Sequence, residues 1–263
     1  MKKTELLKIA LSAGLIATAA ALAGCEADGN GAAGGSIIGG DGDDSIFPND
    51  GTTGGNIEEG GTPIAGGDTG FNFVCTESAS AYGVPSSSVS ANGLVGSVVT
   101  DLLNLLGGDT ATRLLNSVVD QDLAIDGDLE TFSTFSLTAN LLGPLLSTVD
   151  QVIELGGEAP VGSYAVFGVS FPTATLELSL LQTVTVTTFL NGVEQENVSI
   201  DATTLDLLGA VAVGNPRAFV GVKTTTAWDT ASIGIAPLLV SANVGEAMYV
   251  HELCTGGNLV PAP

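Results

Sequence analysis

The sequence predicts an all-β fold, an antiparallel β-sandwich of jelly-roll type with room for one short helix, preceded by a disordered tether. Three observations lead there. Runs rich in β-branched residues recur at Gln151–Leu155, Tyr164–Phe171, Thr183–Leu190, Glu196–Ile200, Phe219–Thr225, Ala231–Ile235 and Ala247–Leu253, each bounded by turn formers. No regular helical segments alternate with them, which argues against a wound α/β sheet. Hydrophobic residues make up 44% of the chain and charged residues 13%, so a core can form, whereas many of the 36 glycines fall in the N-terminal third.

In chain order, residues 1 to 24 open with Met1-Lys2-Lys3 and continue into an Ala/Leu/Ile-rich run from Ile9 to Ala23. That run is short for a membrane span and ends in small residues, the pattern of an export signal. The tetrapeptide Leu22-Ala23-Gly24-Cys25 resembles the lipobox of bacterial lipoproteins. The resemblance implies cleavage before Cys25, a thioether-linked diacylglycerol on its sulfur and, in many bacteria, an amide-linked third acyl chain such as palmitate. Two or three chains at one residue anchor stably where one does not. Membrane lipid is then the first expected partner. Glu26 stands where enteric bacteria use Asp to retain lipoproteins at the inner membrane, so the outer membrane is the expected location.

Cleavage would remove Lys2, Lys3, Lys8 and Glu5, leaving 28 of the 29 acidic residues against Arg113, Arg217 and Lys223, a net charge of -25 in place of -23. Such a surface repels phosphate backbones, which excludes nucleic acid as a partner.

Residues 25 to 72 read as the lipidated, Gly/Asp-rich tether. Neither apolar periodicity is present, and too little can be buried to offset ordering. A glycine-rich chain of this length has an r.m.s. reach of roughly 35–40 Å. Gly39-Gly40-Asp41-Gly42-Asp43-Asp44-Ser45-Ile46-Phe47 matches one calcium-binding β-roll nonapeptide, but a roll needs stacked copies and no second copy follows.

The sandwich domain is expected over 73–263, bracketed by Cys75 and Cys254. With Cys25 committed to lipid, these two thiols of an exported chain are expected to pair. Between Asn92 and Leu106, the positions Leu94, Val95, Val98, Val99, Leu102, Leu103, Leu105 and Leu106 fit a helical stripe, weakened by Gly93 and Gly96. The alternation Thr183-Val184-Thr185-Val186-Thr187 leads through Phe189 and Leu190 into Asn191-Gly192, a hairpin turn that returns through Val193 to Glu196.

The densest set of hard-cation ligands is Asp120, Asp122, Asp126, Asp128 and Glu130. It is not an EF-hand, because Ala124 breaks the required order and Gly127 is out of register. Ile125-Asp126-Gly127-Asp128-Leu129-Glu130-Thr131-Phe132 resembles the strand approach of discoidin-type, galactose-binding-like jelly rolls. That resemblance implies a sandwich fold and a structural turn that sometimes contributes to a calcium site. Ser133-Thr134 replaces the aromatic that commonly follows. The acidic stretch therefore reads as turn, structural calcium site or ligand contact; no other cofactor is required.

Trp228, the lone tryptophan, reads as a core plug or as a platform for a sugar ring, with Tyr82 and Tyr164 as weaker platforms. His251 is the only histidine, so His-based metal sites and dyads are absent, and no Gly-x-Ser-x-Gly, Cys-x-x-Cys or phosphate loop occurs. Glu154 with Glu158, or Glu194 with Glu196, supply paired carboxylates. Glycoside hydrolysis needs such a pair roughly 5–9 Å apart across a cleft. The expected function is non-enzymatic: a lipid-anchored envelope protein displaying a sandwich that binds or supports a partner, an envelope protein or a glycan. A carbohydrate-binding or adhesive module is the alternative, and a glycoside hydrolase the third.

Overall fold

A computed structural model of the chain describes residues 55–66, 69–91, 95, 108–137, 148–172, 181–201, 217–237 and 245–262. Cys25 and the stripe at 92–106, apart from Val95, lie outside them. Thirteen strands are present among the described residues: β1 Gly55–Glu59, β2 Thr62–Ala65, β3 Phe71–Ser78, β4 Ser86–Ala91, β5 Val118–Val119, β6 Ser133–Leu137, β7 Val149–Ala159, β8 Tyr164–Ser170, β9 Leu181–Leu190, β10 Val193–Asp201, β11 Ala218–Lys223, β12 Trp228–Pro237 and β13 Gly245–Pro261. Among the described residues there is one α-helix, α1 (Gly108–Leu115).

The strands form two sheets. One runs β2-β1-β11-β8-β13-β6-β5 with β3 paired to β13; the other runs β10-β9-β12-β7-β4. Every pair is antiparallel except β1 with β11, which run parallel from Gly55↔Phe219 to Glu58↔Val222. This is the expected sandwich, with β1 and β2 added ahead of it. The tether was expected to reach residue 72, yet β1 and β2 already belong to a sheet. Ile57 and Ala65 are buried there beside Phe73, Val166 and Phe219. Two short strands with one or two apolar residues each carry too weak an alternation to stand out from glycine-rich sequence.

The core between the sheets follows from strand alternation. In β9, Val184 and Val186 point inward; in β12, Ala231, Ile233 and Ile235 do; in β7, Val149 and Ile153 meet them. A second cluster lies on the outer side of the larger sheet, where β1 to β3 cover Val166 and Phe219 and the rings of Phe73 and Phe219 meet edge-on at 5.2 Å. Cys75 of β3 and Cys254 of β13 are buried in this cluster and joined as the expected disulfide, across 179 sequence positions. Chain-entropy models assign roughly 5 kcal/mol to a closure of that length.

The two ends of the sandwich differ. At one, the connections are short: 160–163 between β7 and β8, Asn191-Gly192 between β9 and β10, and 224–227 between β11 and β12. Asn191 (φ 52°) and Gly192 (φ 76°) form the hairpin turn that the Asn-Gly pair predicts. At the other end, β4, β6, β8, β10 and β12 finish and β7, β9, β11 and β13 begin.

Candidate functional site

The short-connection end carries a cleft of about 450 Å³ lined by Glu154, Leu155, Gly156, Gly157, Glu158, Asn191, Gly192, Asp229 and Thr230. Strand register creates it. β12 pairs with β7 at Thr230↔Glu154 and again at Trp228↔Ala159, so two steps on β12 face five on β7 and the excess residues of β7 bulge away. The bulge rests on the chain at 82–84. A Cβ added to Gly156 would lie 2.4 Å from the Val84 nitrogen, and one on Gly157 would lie 2.7 Å from the Tyr82 carbonyl oxygen, so only glycine allows this approach.

Asp229 is fixed across the cleft. Its Oδ2 accepts from the Asn191 backbone N–H at 2.8 Å and its Oδ1 from the Thr230 hydroxyl at 2.9 Å. Glu154 and Glu158 are exposed, and among the described residues neither is engaged by a hydrogen bond or an ion pair. Arg217 and Lys223 pair elsewhere, with Glu130 at 3.0 Å and Glu59 at 3.1 Å. The cleft thus presents free carboxylate acceptors on a floor of glycine backbone. Glu194 and Glu196, the other carboxylate pair considered, are not in its lining.

The acidic stretch sits elsewhere and is organised as turns. Asp120 adopts the left-handed conformation (φ 55°) ahead of a 3-10 turn at Gln121–Ala124, and Asp122 lies in that turn. Asp126 Oδ1 accepts from the Asp128 N–H at 2.9 Å, and Asp128 Oδ1 accepts from the Glu130 N–H at 2.8 Å. The Thr131 hydroxyl donates to Asp126 Oδ2, and Glu130 pairs with the buried Arg217. Among the described residues no group of three or more Asp, Glu, His or Cys side chains is placed to hold a metal, so the five carboxylates do not converge as the sequence suggested. Asp126 and Asp128 close successive turns, and Glu130 is drawn to Arg217.

One carboxylate that sequence reading missed faces this turn. Glu252 of β13 is fully buried; its Oε2 accepts from the Gly127 N–H at 2.9 Å, and its Oε1 has no partner. Burial, with a further push from the negative charge of Asp126, raises its pKa to about 8. Both oxygens of Asp126 are engaged, by the Asp128 N–H and the Thr131 hydroxyl, so the open acceptor at this turn is Oε1 of Glu252. Only its position in an apolar strand, Tyr249 to Cys254, hinted at an unusual Glu.

Its neighbour His251 is structural. Nδ1 faces the Leu129 carbonyl at 2.8 Å and Nε2 faces the Ser170 hydroxyl at 2.7 Å. Burial and the nearby Arg217 charge lower its pKa to about 4, so the ring is neutral, donating from Nδ1 and accepting at Nε2. Arg217 also donates to the Leu129 carbonyl. His251, Glu252 and Arg217 together pin the 126–130 turn to the sheet.

The platform reading of Trp228 is corrected by its burial. It is 0% exposed in the core, and its indole N–H donates to the Ser163 hydroxyl at 2.8 Å. Tyr82 packs on the core and Tyr164 on Phe73, with ring centroids 5.0 Å apart. Burial raises the pKa of each. The half-buried aromatic pair is instead Phe132 with Tyr249, whose centroids lie 4.4 Å apart. The Tyr249 hydroxyl donates to Glu246 at 2.7 Å, a bond that raises the Tyr249 pKa to about 12.

No family model and no curated protein matches the chain. Among solved structures it is similar to the family 32 carbohydrate-binding module of Clostridium perfringens NanJ in complex with galactose, at 15% identity and a TM-score of 0.32, covering 65% of this chain and 92% of that one. It is similar also to CBM32-3 of a family 31 glycoside hydrolase from the same organism, at 13% identity and a TM-score of 0.32, covering 60% and 98%. Similarity of that degree bears on neither ligand nor mechanism.

Proposed function

We propose that this chain is a lipid-anchored, non-catalytic binding module of the bacterial envelope, and that it takes a hydroxyl-rich saccharide in the cleft between Glu154, Glu158 and Asp229. The observation that carries the reading is the cleft itself: unpaired carboxylates opposite a fixed Asp229–Asn191 turn, over a glycine floor. Sugar hydroxyls donate to carboxylates in short charge-assisted hydrogen bonds and accept from exposed peptide N–H groups, and a concave site with a few convergent polar groups suits them. The anchor rests on Leu22-Ala23-Gly24-Cys25, which would set the domain at the end of the glycine-rich segment. The test is saccharide binding by the lipid-free mature chain on a glycan array. Glu154→Gln and Glu158→Gln together should reduce binding at least tenfold; unaltered binding overturns the cleft as the site.

A second reading, structural calcium, is favoured by the orphaned Oε1 of Glu252. Glu252 and Asp126 would hold the ion, which would supply charge compensation and no chemistry. Calcium should raise the melting temperature of the parent protein and leave that of Glu252→Gln unmoved.

A further inference from the structure

Three buried oxygens at the edge of the five-stranded sheet and at the connection it meets make no hydrogen bond among the described residues: Glu196 Oε2, Thr188 Oγ1 and Thr226 Oγ1. Glu196 of β10 and Thr188 of β9 are directly paired across the antiparallel ladder, so their side chains lie side by side on one face. That face is the interlayer one. Thr188 pairs in turn with Ala231, Val198 and Ile200 are the next inward residues of β10, and all three are buried in the core between the sheets. Thr188 is itself 0% exposed.

The other oxygen of Glu196 is fully engaged. Oε1 accepts from the Thr225 backbone N–H at 2.8 Å and from the Thr225 hydroxyl, which ties edge strand β10 to the connection between β11 and β12. Thr226 is the next residue along that connection. Oε2 is therefore held near the same connection, and among the described residues no donor reaches it. Buried polar groups left unpaired in this way mark the place of a missing water or ion.

We propose that Glu196, Thr188 and Thr226 form a site for a monovalent alkali cation, sodium being the natural occupant. The ligand atoms are all hard oxygens carrying a single formal negative charge. Magnesium demands a near-ideal octahedron and calcium takes six to eight oxygens, usually with several carboxylates, so one carboxylate with two hydroxyls matches a singly charged ion. Neither Arg217 nor Lys223 neutralises Glu196, since each pairs with another carboxylate. The chain's formal charge of -23 concentrates small cations at its surface. Bound there, the ion neutralises a charge pointed into the sandwich and clips the edge of one sheet to a connection leaving the other. Asp229 of the cleft lies three residues past Thr226, so the clip also steadies one wall of the cleft.

The experiment is thermal unfolding of the lipid-free mature chain in sodium, potassium and N-methylglucamine chloride at matched ionic strength, without divalent ions. Non-specific screening of the acidic surface acts equally in all three. Sodium should raise the melting temperature above the organic cation by roughly 3–6 °C, the shift expected when sodium is at about ten times the dissociation constant of one site in a domain of this size. Glu196→Gln should erase the difference. Thr188→Val removes one ligand while preserving shape, and should also erase it while folding normally if Glu196→Gln does not fold. Equal melting temperatures in the three salts, meaning ordered water only, overturn the proposal. So does a sodium-specific rise that survives either substitution.

Discussion

Glu252→Gln should abolish a fall in stability that the parent domain shows between pH 6.5 and pH 8. The folded protein holds the Glu252 proton up to about pH 8, against an ordinary value of 4.5, because the group is fully buried beside Asp126. Folding therefore takes up a proton through that interval, and stability is lost as pH rises from 4.5 to 8. His251 works in the opposite sense: its pKa falls from 6.5 to about 4 on folding, so stability is lost as pH falls from 6.5 to 4. Below pH 6.5 the two slopes oppose each other. Above it only Glu252 contributes, over about 1.5 pH units, which amounts to about 2 kcal/mol at 1.36 kcal/mol per unit. For a domain of this size that is a drop of roughly 4–8 °C in melting temperature. The assay is urea unfolding at closely spaced pH values in a chelating buffer. Glutamine keeps an acceptor for the Gly127 N–H but does not titrate, so its curve should be flat from pH 6.5 to 8. A flat curve for the parent protein, or an equal slope in Glu252→Gln, would refute the assignment of a retained proton to this side chain.

Reduction of Cys75–Cys254, or replacement of both residues by serine, should destabilise the domain by about 3–5 kcal/mol, seen as a lower urea midpoint. Cys25→Ala should move the protein from the membrane fraction to the soluble fraction of cells that produce it; continued membrane retention would remove the lipid anchor from the account.

Local pattern made much of the sandwich legible. All seven expected runs fall on strands, β8 and β11 ending at Ser170 and Lys223 just short of the expected limits, because each run is rich in β-branched or other apolar residues and bounded by turn formers. The hairpin at Asn191-Gly192 was legible for a backbone reason, since both residues take positive φ. β1, β2 and the serine-rich β4 were not, because their apolar content is too small and because β1 and β4 are placed by partners more than fifty positions away, β2 then pairing with β1. The cleft was equally hidden. Glu154 and Glu158 were visible as a carboxylate pair, but Asp229 and Asn191 reach them only through a register shift between β7 and β12 that no local spacing encodes. Five carboxylates crowd the stretch from Asp120 to Glu130, yet Asp126 and Asp128 accept from backbone N–H groups, Glu130 pairs with Arg217, and the buried Glu252 is the acid that faces the turn. Trp228 was ambiguous in sequence because a ring at a strand edge can point either way; Ser163 and the core settle it.

The most direct test of the cleft is calorimetric titration of the lipid-free mature chain with the saccharide that ranks first on the array, using Glu154→Gln/Glu158→Gln and Tyr249→Ala in parallel. Binding by the parent and Tyr249→Ala proteins, with at least tenfold loss in the double variant, is the predicted result. Loss confined to Tyr249→Ala, with the double variant binding normally, would place the ligand on the Phe132–Tyr249 pair and contradict the cleft.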